Sequence, residues 1–95
     1  MSNPTTAQDD VRESLSRTLE DPVQSGILSV LIRAAGSELN PSRICKRAGI
    51  DLETFYENID ELEESGLVQY TYIVGNGPVY EVDRSNLASA IEALA

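Results

Sequence analysis

Arg43, Lys46 and Arg47 stand within five positions of one another and make up three of the seven basic residues in a 95-residue chain. Projected on a helix at about 100° per residue, they gather opposite Ile44, Cys45 and Ala48. Such a small cationic face can meet phosphate oxygens. The chain as a whole argues the other way, because 16 acidic residues bring its formal net charge to −9 and discourage indiscriminate binding to nucleic acid or anionic membrane. The charge is unevenly spread: residues 1–21 carry −3, 22–50 carry +3, 51–66 carry −7 and 67–95 carry −2. Any nucleic-acid contact must therefore come from a local patch, and the one positive segment is the one that holds the trio.

Other chemistries have few residues to work with. The absence of His removes the commonest general base and transition-metal ligand, and a single Cys leaves neither a disulfide framework nor a multi-cysteine zinc site. No Ser-His-Asp arrangement, P-loop glycine pattern or metal-spaced carboxylates are present. The carboxylates of 51–66 lie on a helix with a solvated face, where acid/base pairs do not form. Cys45 is expected to be buried and inert, since Lys46 and Arg47 lower its pKa only if it is exposed. No enzyme activity, metal or cofactor is expected. With 41% hydrophobic and 24% charged residues the composition is that of a folded soluble chain. No run approaches the roughly 18 to 20 apolar residues of a membrane span, so a cytoplasmic location is expected.

The elements that position these residues follow from periodicity and punctuation. Residues 1–6 read as a flexible tail and 7–95 as a single domain, with a core over 22–83 and terminal helices over 7–20 and 86–94. Val11, Leu15 and Leu19 recur every four residues along the first of these helices. Asp21-Pro22 is an N-cap followed by proline at the first helical position, and Val23, Ile27, Val30, Leu31 and Ala34 form an apolar face behind it, ended by Gly36. A very short strand at Ser37–Leu39 precedes Asn40-Pro41, a second cap and helix start. That helix ends at Gly49, and another runs from after Asp51 to about Ser65 with Leu52, Phe55, Ile59 and Leu62 on one face and Gly66 as its stop. Period two then replaces period four. Val68, Tyr70, Tyr72 and Val74 alternate with Gln69, Thr71 and Ile73, Gly75-Asn76-Gly77-Pro78 makes a turn, and Val79–Val82 is the second arm of a hairpin. Ser85 or Asn86 caps a last helix carrying Leu87, Ile91 and Leu94.

This order, through Ile44-Cys45-Lys46-Arg47-Ala48-Gly49-Ile50, Thr54-Phe55, Ile59, Leu62 and Glu63-Glu64-Ser65-Gly66-Leu67-Val68, resembles winged helix-turn-helix transcription regulators of bacteria and archaea. The resemblance spans about residues 23 to 83. It implies an α+β fold with a three-helix core, a β-hairpin wing and added terminal helices. In that family the first glycine makes the turn and a small residue four positions earlier, here Cys45, lets the two helices approach. The resemblance also implies a DNA-binding regulator, and a homodimer is expected because one module this small buries little interface while two-fold symmetric half-sites multiply affinity and specificity. Ser42, Arg43, Lys46 and Arg47 would position it on phosphates, and Thr54, Tyr56, Asn58 and the wing's Asn76 would reach bases.

One helix departs from the family pattern. Its solvent face holds Glu53, Glu57, Asp60, Glu61 and Glu64 where groove-reading members present Arg, Lys, Gln, Asn or Ser. The wing loop has no Arg or Lys at its tip, and only Arg84 lies nearby in sequence. Two readings stay open: double-stranded DNA bound by a local patch, or a protein-interaction module whose acidic third helix docks on a basic partner. Six Arg to one Lys amid abundant carboxylates resembles halophilic-archaeal composition, and at molar salt a Debye length of about 3 Å screens the repulsion. The apolar stripes Val11, Leu15, Leu19 and Leu87, Ile91, Leu94 have no place in a minimal winged core and are expected to form the dimer surface. Tyr70, Tyr72 and Tyr80 are expected to pack the wing onto the helices.

Overall fold

The computed structural model describes residues 4–75 and 77–94, with side chains from Arg12 onward. Its elements in chain order are α1 (Pro4–Glu20), α2 (Pro22–Arg33), α3 (Pro41–Ala48), α4 (Leu52–Glu64), β1 (Val68–Ile73), β2 (Gly77–Val82) and α5 (Arg84–Leu94). The α+β winged arrangement expected from the sequence is the one observed.

The starts of α2, α3, α4 and α5 each have a side chain that satisfies otherwise orphaned amides. Asp21 accepts from the backbone N–H of Val23 and Gln24 at 3.0 and 3.1 Å. Asn40 accepts from Arg43 at 2.9 Å and Asp51 from Thr54 at 2.7 Å. For α5 the cap is Asp83 rather than Ser85 or Asn86, because its Oδ1 accepts from the Asn86 N–H at 3.0 Å. The helix therefore begins earlier than expected. Likewise α1 extends back to Pro4, into the stretch expected to be a tail.

Two glycines fix the joints around α4. Gly49 closes α3 with a left-handed φ of 72° and donates to the Cys45 carbonyl at 2.9 Å, which turns the chain within three residues into α4. Gly66 has φ 82°, and a Cβ there would come within 3.1 Å of the Asn86 amide nitrogen, which donates to the Gly66 carbonyl at 2.8 Å. That bond ties α5 to the exit from α4.

The strands pair antiparallel, Val68 with Val82 through Ile73 with Gly77, so the second arm begins at Gly77 and Pro78 lies within it. On its other side β2 exchanges two backbone bonds with Leu39 through Tyr80, at 2.9 and 2.8 Å, which is all the short strand amounts to. The core gathers Ile27, Leu28 and Leu31 of α2, Ile44 of α3, Phe55, Ile59 and Leu62 of α4, and Leu67 below the hairpin. Each fully buried side chain of this size contributes about 1.5–3 kcal/mol.

The terminal helices correct an expectation. α1 packs along α5 within the same chain, and Leu15, expected on a dimer surface, is only 3% exposed inside the core. Leu87 also packs against that core, alongside buried Ala90. Two short amphipathic helices bury one edge of each stripe against one another and leave the other edge, Leu19, Ile91 and Leu94, exposed. Val11 lies outside the described side chains.

Candidate nucleic-acid interface

The turn at Gly49 sets α3 and α4 across one another, and the basic and acidic segments consequently sit on adjoining helices. α3 is only eight residues long and amphipathic: Pro41, Ile44 and Cys45 are buried, and Ser42, Arg43, Lys46 and Arg47 are exposed. The cation trio is thus on the surface of one helix, and Lys46 and Arg47 in its last turn also complement the helix dipole. The Cys45 thiol donates to the Asp51 carbonyl at 3.6 Å across the turn. Burial, then the nearby Asp51 charge, push that thiol's pKa up, so it stays protonated and unreactive.

On α4 the face opposite Phe55, Ile59 and Leu62 is acidic and exposed at Glu53, Glu57, Asp60, Glu61 and Glu64. Its N-terminus is already occupied: Asp51 accepts from Thr54, and that hydrogen bond holds the carboxyl below the usual carboxylate range. Thr54 is half-buried beside this cap. Tyr56 is exposed on the wing side of α4, edge-on to Phe55 with ring centroids 5.3 Å apart.

Asn58, expected to reach bases, turns elsewhere. Its amide donates to the Thr54 carbonyl at 2.8 Å and its oxygen accepts from Gln24 at 3.4 Å. Three residues on, Glu61 accepts from the same Gln24 amide at 2.7 Å. One helical turn carries Asn58 around to the α2 side, a consequence of which helix packs next to α4.

The wing departs from expectation in two ways. Only Tyr80 of the three hairpin tyrosines enters the core, edge-on to Phe55 at 5.5 Å, with its hydroxyl pushed up to about 12 mainly by burial. Tyr70 leans on Tyr80 from outside, and Tyr72 is 63% exposed, because β1 has neighbours along one edge only and shows most of both faces to solvent. The Arg84 guanidinium approaches the turn at Gly36. It lies at the base of the hairpin, about 20 Å from the tip for strands six residues long. The tip shows Val74, which is 92% exposed. Asn76 lies outside the described residues. Tyr72, expected to pack on the helices, is instead a surface group beside Val74, since alternation along a strand exposed on both faces carries no signal of which side is covered.

Residues 19–71, more than half of the chain, match the family model for a helix-turn-helix domain. The chain belongs to the helix-turn-helix domain family. This is a family of binding domains and not of enzymes. Among solved structures the helix-turn-helix chain is similar to an ArsR-like transcriptional regulator from Rhodococcus sp. RHA1, with TM-score 0.73 and 19% identity over 88% of this chain and 76% of that one. It is similar to the homodimeric winged helix-turn-helix DNA-binding domain of a possible ArsR-family regulator from Mycobacterium bovis, with TM-score 0.69 and 21% identity over 99% and 85%. It is also similar to the transcriptional repressor CouR bound to a 23-mer DNA duplex, with TM-score 0.64 and 20% identity over 94% and 63%. At these identities the likeness establishes the winged fold. A comparison with curated proteins found no match.

Proposed function

We propose that this helix-turn-helix protein is a transcription regulator that binds double-stranded DNA as a homodimer, acting in the cytoplasm as one winged domain from α1 to α5. The observation that carries the reading is the exposed trio Arg43, Lys46 and Arg47 on α3, the helix that crosses the DNA backbone in helix-turn-helix complexes. The trio and Ser42 take phosphates, Thr54 and Tyr56 reach base edges from α4, and Asn76 enters a minor groove from the wing. Asn58 instead holds Gln24. The exposed Leu19, Ile91 and Leu94 supply the dimer contact, and the homodimeric state of a similar domain supports this.

The charge distribution supports a host with concentrated salt, of the halophilic-archaeal kind. Six Arg against one Lys amid 16 carboxylates is a balance suited to a Debye length near 3 Å, at which acidic α4 ceases to repel phosphates beyond direct contact.

Gel retardation of DNA from its own promoter region, across potassium concentrations, tests the reading. The native protein is expected to retard such a fragment, and replacing Arg43, Lys46 and Arg47 by Ala to abolish retardation. A native protein that retards no such fragment at any potassium concentration sinks it. Sedimentation at micromolar concentration is expected to show a dimer, and Ile91→Glu a monomer; a native monomer overturns that part alone.

A further inference from the structure

The buried polar side chains recorded among the described residues, Thr18 at 2% and Gln24 at 6% exposure, line one cleft. The cleft holds about 430 Å³ and opens between α1, the start of α2 and the end of α4. That volume suits a small ligand. Its lining does not suit an apolar one: Arg17 comes from α1, Glu61 and Glu64 from α4, and Ser14 and Ser65 add hydroxyls. It exists only because α1, which a minimal winged core lacks, docks on α5 and α2 and leaves a gap facing the end of α4.

The charges select the ligand. A dianion placed here meets Glu61 and Glu64, a dication meets Arg17, and an apolar molecule strips water from charged groups without replacing their hydrogen bonds. A molecule with one carboxylate and one ammonium satisfies both walls. The Gln24 amide, donating to Glu61 at 2.7 Å and Asn58 at 3.4 Å, fixes the α4 wall before a ligand arrives and lowers the ordering cost of binding. We propose that this cleft binds a free α-amino acid with a polar side chain, its carboxylate on Arg17, its ammonium between Glu61 and Glu64, and its side chain beside the hydroxyls of Ser14 and Thr18, the Ser65 hydroxyl being held by the Leu62 carbonyl and the Leu67 N–H. A ligand so placed ties α1 to α4, the helix next to the cationic α3.

Calorimetric titration of the full chain without DNA tests the site, so its outcome is independent of the DNA-binding reading. The probes are L-serine and L-glutamine, with serinamide, which lacks the carboxylate, and N-acetylserine, which lacks the ammonium. At least one of the two amino acids is expected to bind, and neither serine derivative. Arg17→Ala and Glu64→Gln are each expected to weaken binding about tenfold or more, as for loss of a charged hydrogen bond. Arg12→Ala, on the same helix but outside this cleft, is expected to leave it unchanged. Both replaced side chains are exposed, and circular dichroism verifies that the variants fold. Absence of heat from both amino acids at about 10 mM, enough to detect a Kd of a few millimolar, overturns the proposal. Equal binding of serinamide, or affinity unchanged in Arg17→Ala, overturns it as well.

Discussion

Replacing Lys46 by Ala gives the sharpest quantitative test of how α3 meets DNA. The side chain is exposed in the last turn of α3, so its loss costs the fold only about 0.3–1 kcal/mol of dipole complementarity and changes binding through charge. Three cations on each α3 give a dimer about six phosphate contacts, and each releases counterions, for a slope of log K against log[salt] of about −5.4. Raising potassium from about 0.1 to 0.4 M then weakens binding about 2,000-fold. Lys46→Ala leaves about four contacts, a slope of about −3.6 and a loss of about 150-fold over the same range. Fluorescence anisotropy of a labelled promoter duplex, titrated at four potassium concentrations with native and variant protein, reads both slopes. A native slope shallower than about −2, or one that Lys46→Ala leaves unchanged, refutes phosphate contact by the trio even if affinity falls.

Three further outcomes concern the scaffold. Phe55→Ala empties the centre of the core and removes edge-on contacts to Tyr56 and Tyr80, a cost of about 3–5 kcal/mol; thermal unfolding should fall by at least about 12 °C, and a drop of only a few degrees would contradict the assigned packing. Asp83 accepts from the Asn86 N–H and the Gln69 amide, which hold its carboxyl below the ordinary value, the Asn86 bond contributing most. Its charge therefore stabilises the fold fully above about pH 4 and loses that effect as pH falls through the depressed folded value. Urea midpoints of Asp83→Asn and native protein should differ at pH 7 and draw together as pH falls below about 4; a gap that does not narrow with falling pH would rule out the charge as its source. The Cys45 thiol, raised by burial and by Asp51, should react with a disulfide reagent at pH 8 far more slowly in native protein than in guanidinium. Equal rates would show it to be accessible.

Much of this protein is legible in its sequence because local chemistry fixed it. Asp21-Pro22, Asn40-Pro41 and Asp51 announce helix starts through amides that their own side chains satisfy, and Gly49 and Gly66 mark ends that need left-handed backbone. The amphipathic period of α3 placed Arg43, Lys46 and Arg47 on its outer face. Those determinants act within four residues, so a linear reading captures them. What depends on which element lies alongside was decided only by tertiary structure. α1 meets α5 in the same chain and consumes Leu15; α2 turns Asn58 and Glu61 toward Gln24; β1, bordered on one edge alone, leaves Tyr72 in solvent while Tyr80 goes in. The cleft between α1, α2 and α4 belongs to this second group. Its residues are about 50 positions apart in the chain, and hydrophobic periodicity fixes the face a helix buries without naming the helix that covers it.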